Sequence, residues 1–150
     1  MTKPVTNLAA SARARLLDTM GRVYQQLELH EVAEKFVREA LAIREASLGR
    51  EHPEVAASLA HLGDLQWVRG EYPAAEATLR RALAIQERAS GAEDLAVAEV
   101  LDNLGSVLEI QARYAEAEPT HERALAIRER ALGPNALPVA ASLDDLGVSH

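Results

Sequence analysis

The sequence predicts an all-α protein built as a solenoid of antiparallel helix pairs, about three and a half copies of one unit. Three observations carry this. The phrase EALAIREASLG at Glu39 returns as RALAIQERASG at Arg81 and as RALAIRERALG at Arg123, each 42 residues after the last. A fixed period of this size marks stacked supersecondary units. Composition favours helices: hydrophobic residues make up 48% of the chain but aromatic ones only 3%. Strong helix formers such as Ala, Leu, Glu and Arg therefore dominate, and residues that suit strands are sparse. Glycines also recur in register, as Gly21, Gly63, Gly105 and Gly147 and again as Gly49, Gly91 and Gly133.

The same composition narrows the function classes. With no cysteine there is no disulfide framework, thiolate metal site or cysteine nucleophile. Apolar runs are far shorter than the roughly 20 residues of a membrane-spanning helix. The opening MTKPVTNLAASARARLLDTM lacks an unbroken apolar stretch and leads into a helical pattern, so it reads as structure rather than a targeting segment. A net charge of −7 disfavours unspecific nucleic-acid binding, which needs a basic face. The expectation is a cytoplasmic protein with no membrane, nucleic-acid or cofactor partner.

The elements follow in order as a single domain over 1–150. In the first unit, about 8–49, Leu17, Met20 and Gly21 belong to a first helix and Ala33 opens a second. Glu28 stands where the second unit has Gly70, and His30 stands in the column of Tyr72 and Tyr114, which predicts a looser turn here. The second unit, 50–91, has helix A over about 53–68, with Pro53 near the first-turn position that tolerates a missing N–H. The turn RGEYP then leads to helix B over about 73–89. The third, 92–133, repeats this over about 95–111 and 114–131, with Pro119 placed to weaken or bend the start of its second helix. A fourth, 134–150, stops inside its first helix. Gly63 and Gly105 lie inside apolar helical patterns, where glycine costs about 1 kcal/mol against alanine and calls for a close crossing. Gly49, Gly91 and Gly133 follow helices and fit left-handed αL ends.

The stretch HLGDLQWVRGEYPAAEATLRRAL, with its LG pair, a glycine before tyrosine and two alanines, resembles the tetratricopeptide repeat. The usual repeat has 34 residues. The longer unit here, with its RALAIRE and AEP phrases, is similar to the repeats of kinesin light chains and of many bacterial signalling proteins. The resemblance implies a right-handed superhelix whose A helices line a concave groove and whose B helices face outward. On that register the groove positions are Arg15, Asp18, Arg22 and Gln25, then Ala57, Ala60, Asp64 and Trp67, then Glu99, Asp102, Ser106 and Glu109, with Asp144 continuing the row. His61 and Asn103 border it, and the resemblance gives Asn103 the role of hydrogen-bonding a bound peptide's backbone.

No catalytic constellation competes with this reading. HEVAE at His30 has Glu34 where a zinc-protease motif needs its second histidine, and His61 with Asp64 makes only two ligands of a metal site. The chain is thus expected to be a non-enzymatic scaffold for a peptide of a partner protein, within a bacterial signalling or regulatory system. The alternative is a structural solenoid that self-associates, with weak homo-oligomer formation through the C-terminal helix. Nine of the sixteen basic residues fall on B helices, leaving the groove basic at its N-terminal end and acidic beyond. A peptide with Lys or Arg near an apolar residue fits that charge.

Overall fold

The structure is a computed structural model describing residues 3–133, with side chains from residue 8 onward. The partial fourth unit, including Asp144 and the helix invoked for self-association, lies outside the described residues. Six helices follow one another: α1 (Lys3–Gln26), α2 (His30–Leu48), α3 (Pro53–Val68), α4 (Tyr72–Ser90), α5 (Leu95–Ile110) and α6 (Tyr114–Leu132). The last four begin and end within one residue of their sequence expectation. Each A helix packs along its own B helix, α1 on α2, α3 on α4 and α5 on α6, and each B helix packs on the next A helix. Adjacent A helices meet more narrowly, α3 against α5. The result is a right-handed solenoid of three complete pairs.

Burial follows the period. Ala33, Ala75 and Ala117 are at most 1% exposed, as are Val55, Val97, Leu65 and Val107. The glycines within A helices have a steric reason. A Cβ on Gly63 would stand 2.8 Å from Cγ of Leu79, one on Gly21 2.9 Å from Val37, and one on Gly105 2.6 Å from the ring of His121. Val37, Leu79 and His121 are themselves one period apart, so each B helix presses one side chain into its partner's glycine.

The helix ends differ from expectation in two ways. Gly49, Gly91 and Gly133 have positive φ but ψ near 155° (φ 92, ψ 156 at Gly49). That is not αL but an extended left-handed region open essentially to glycine alone. The first A–B turn is no looser than the others. Glu28 and Ala112 take φ 62 and 61, close to the 79 of Gly70, and the closing bonds match: Leu29 to Tyr24, Glu71 to Gln66 and Arg113 to Leu108, at 2.8–2.9 Å. Backbone hydrogen bonding and helix packing impose the turn even where the residue resists it. Pro119 is likewise absorbed, since α6 runs unbroken through it. The Thr120 hydroxyl donates to the Glu116 carbonyl at 2.7 Å in the turn beside it.

The basic character of the B helices is largely spent on stitching units together. Arg81 reaches back to Glu45 and Arg123 to Glu87, both at 2.6 Å. Arg88 pairs with Glu51 and Arg130 with Glu93 in the linking loops. Exposed pairs of this kind contribute about 0–1 kcal/mol each, so they align units more than they stabilise them.

Candidate peptide-binding groove

The inner faces of α1, α3 and α5 form a concave surface with two adjoining hollows that share Asp64 and Asn103. One, of about 340 Å³, is lined by Gln25, Trp67, Val68, Ser106 and Val107 as well. The other, of about 300 Å³, lies between α3 and α5, with Gln86 of α4 among its lining residues and Arg22, His61 and Glu99 around it. Helical spacing explains the row: Ala57, Ala60, His61, Asp64 and Trp67 recur every three or four residues along one side of α3.

Of the residues placed in the groove from sequence, ten line these hollows: Arg22, Gln25, Ala57, Ala60, His61, Asp64, Trp67, Glu99, Asn103 and Ser106. Arg15 is exposed but lines neither. Asp18, Asp102 and Glu109 are drawn into the protein's own contacts instead. Arg44, 7% exposed, pairs with Asp18, and Arg128 pairs with Asp102. His121 sets Nδ1 3.1 Å from Asp102 and Nε2 2.8 Å from Glu109. These carboxylates therefore already have partners within the protein.

Asp64 is in the opposite position. Among the described residues neither it nor Glu99 makes a hydrogen bond or ion pair. Burial, reinforced by the charge of Glu99, pushes the Asp64 carboxyl up to about 6. Burial likewise lowers the affinity of His61 for a proton, against the pull of Asp18 and with a further push from Arg22. A neutral His61 ring fits its contacts, Nε2 lying 3.0 Å from the Gln25 side-chain oxygen. Trp67, 40% exposed, stands at the edge of the first hollow. Among the described residues the groove thus offers an aromatic face, two unmatched carboxylates and the uncommitted polar side chains of Asn103 and Ser106.

Sequence reasoning passed over Gln86, Ala96 and Val100, which also line the second hollow. Comparing units column by column would have flagged them. Asp18 and Asp102 are one register position and Arg44 and Arg128 another, whereas the second unit carries Ala60 and Gln86 there.

Stacked helix pairs around a concave face define a helical-repeat solenoid, a class of protein built to present surface. The tetratricopeptide repeat family model matches residues 12–88 and 94–150, and the chain belongs to that family. Among curated proteins no relative matches the sequence. Among solved structures it is similar to BtubC (BKLC) from P. vanneervenii, with 25% identity, a TM-score of 0.83, and coverage of 91% of this chain and 54% of that one. It is also similar to a Podosopora anserina putative kinesin light chain with nearly identical TPR-like repeats, at 24% identity and a TM-score of 0.84, covering 93% and 66%. The chain therefore spans between about half and two thirds of those proteins. The first TPR of Spaghetti (RPAP3), bound to the HSP90 peptide SRMEEVD, shares the fold at 14% identity and a TM-score of 0.66, covering 93% of this chain and 94% of that one. Repeats of this family are typically non-catalytic protein-interaction modules. Among the described residues no helix is long and apolar enough to cross a membrane.

Proposed function

We propose that residues 1–150 act as one scaffold domain that holds a peptide segment of a partner protein in the concave groove, within a cytoplasmic bacterial signalling or regulatory system. The observation that carries this is a row on α3 and α5: Trp67 half-exposed beside Asp64, Glu99, Asn103 and Ser106, the last four without a hydrogen-bond or ion-pair partner among the described residues. The Spaghetti domain's HSP90 peptide supports peptide capture on this architecture. Its sequence carries an acidic stretch, whereas Asp64 and Glu99 favour a basic ligand here. Aromatic anchors carry a large share of binding energy, which makes Trp67 the central contact. The test is a peptide array followed by titration on Trp67 fluorescence, since no other tryptophan contributes. Basic peptides with an apolar neighbour should bind best, weaken as salt rises, and lose at least tenfold in affinity with Trp67→Ala, a variant titrated by calorimetry. Equal binding of acidic and basic peptides, or indifference to Trp67, would count against it.

A second reading is favoured by a different observation. Leu16 and Val23 of α1 are 60% and 48% exposed, while their register equivalents Ser58, Val100, Leu65 and Val107 are at most 6% exposed beneath a preceding B helix. A second copy covering this face would make a stacked homo-oligomer. Sedimentation of wild type against Leu16→Glu plus Val23→Glu separates the readings, because peptide capture does not depend on either residue.

A further inference from the structure

The junction between the second and third helix pairs departs from the first at four positions together. At the first junction Arg44 of α2 crosses toward the groove side and meets Asp18, the Ser58 hydroxyl at 2.5 Å and Glu54 at 3.6 Å. One period later these four places hold Gln86, Ala60, Val100 and Ala96. All four line the hollow of about 300 Å³. The pair returns in the third unit as Arg128 with Asp102. The space an arginine fills at one junction is thus left open at the next.

Its chemistry suits the same kind of side chain arriving from outside. Ala60, Ala96 and Val100 give small apolar walls, which accept the aliphatic stem of an arginine while its head stays polar-solvated. Gln86 is 9% exposed and its amide nitrogen is committed to the Ser90 hydroxyl at 2.5 Å. Its carbonyl oxygen, an acceptor, has no partner among the described residues. At the mouth stand Asp64 and Glu99, close enough for the charge of Glu99 to disfavour that of Asp64. A cation between them relieves that repulsion. Arg22 also borders the hollow but is exposed on α1 and makes no ion pair with either carboxylate.

We propose that this hollow is a subsite for one arginine side chain of the bound peptide, the ligand's guanidinium taking at the second junction the place that Arg44 takes at the first. This rests on the groove-binding reading above and adds to it a defined position and side chain. A planar guanidinium is preferred over a lysine ammonium because it serves two carboxylates and a carbonyl at once.

The full chain, labelled with nitrogen-15, is titrated with acetyl-Ala-Leu-Arg-Leu-Ala-amide and with the same peptide carrying citrulline, which keeps the shape and removes the charge. The arginine peptide should shift the amides of Ala60, Gln86 and Ala96 and bind at least tenfold more tightly than the citrulline peptide. Ala60→Asp plus Gln86→Arg rebuilds the internal pair and should erase that preference. Ala60→Leu, which fills the hollow without charge, should do the same, and circular dichroism verifies that both variants fold. Equal binding of the two peptides, or a preference that survives in both variants, overturns the subsite while leaving groove binding intact. If neither peptide moves any groove amide, Trp67 and Asn103 included, both the subsite and the groove reading fall.

Discussion

Asp64 offers a direct measurement of how strongly the groove is primed for a cation. Its carboxyl is raised from an ordinary 3.8 to about 6, so the folded state holds a proton that the unfolded chain releases. For an acid raised in this way the charged form is a cost of folding. That cost is fully present above about 6, falls away as pH drops, and is gone below the unfolded value. At 1.36 kcal/mol per pH unit the gap corresponds to roughly 3 kcal/mol, an upper limit because the carboxylate is only partly buried. Asp64→Asn should therefore be more stable than wild type by about 1–3 kcal/mol at pH 7.5, with the two converging near pH 4. Urea unfolding across that range gives both curves. Their difference isolates Asp64 from His61, whose lowered proton affinity makes wild type lose stability as pH falls and is shared by both proteins. Glu99→Gln should recover a smaller part of the gain, burial being the larger cause. A constant difference between wild type and Asp64→Asn from pH 4 to 7.5 would refute the reasoning.

Two further perturbations test the scaffold itself. Gly63→Ala places a methyl 2.8 Å from Cγ of Leu79, which is 1% exposed and has little room to move. Overpacking of about 1–3 kcal/mol should outweigh the roughly 1 kcal/mol that alanine gains as a helix former, so the melting temperature should fall, and a rise would show that α4 can step back. At the A–B turns, Glu28→Gly and Ala112→Gly relieve residues held at φ 62 and 61. Left-handed backbone costs a non-glycine residue about 1–2 kcal/mol, and the added freedom of the unfolded chain takes back about 0.4–1 kcal/mol. Each variant should be modestly stabilised in chemical denaturation; a loss of stability in both would mean the side chains contribute contacts that offset the strain.

Much of the fold was legible because the period repeats with so little drift. Helix ends from Pro53 onward could be read from proline, glycine and apolar spacing, each a local property of the backbone. The turn at Glu28 could not, because its conformation is imposed by α1 packing on α2 rather than chosen by the residue. The groove was legible as a surface but not as a charge distribution. Helical spacing puts Asp18, Asp64 and Asp102 on comparable faces, yet whether a carboxylate is matched depends on an arginine 26 residues further along, on another helix. Arg44 supplies it to Asp18 and Arg128 to Asp102, whereas the residue 26 beyond Asp64 is Ser90. Acidic and basic tallies along a helix are blind to that difference.

The links between units have their own consequence. Gly49 and Gly91 share φ 92, their N–H groups bond to Glu45 and Glu87 in the same way, and the following helix starts from His52 in one case and Asp94 in the other. Both caps accept from a backbone N–H two residues on, through an imidazole nitrogen at 3.1 Å or a carboxylate oxygen at 2.8 Å. Two chemically unrelated side chains therefore produce one hinge geometry, and the step from unit to unit is written in the backbone. Removing residues 50–91 would join Gly49 to Ala92 and regenerate the same step. A gene for such a chain can lengthen or shorten by whole units without relearning how to fold, and its novelty then accumulates at the seams, where Gln86 already departs from Arg44 and Arg128.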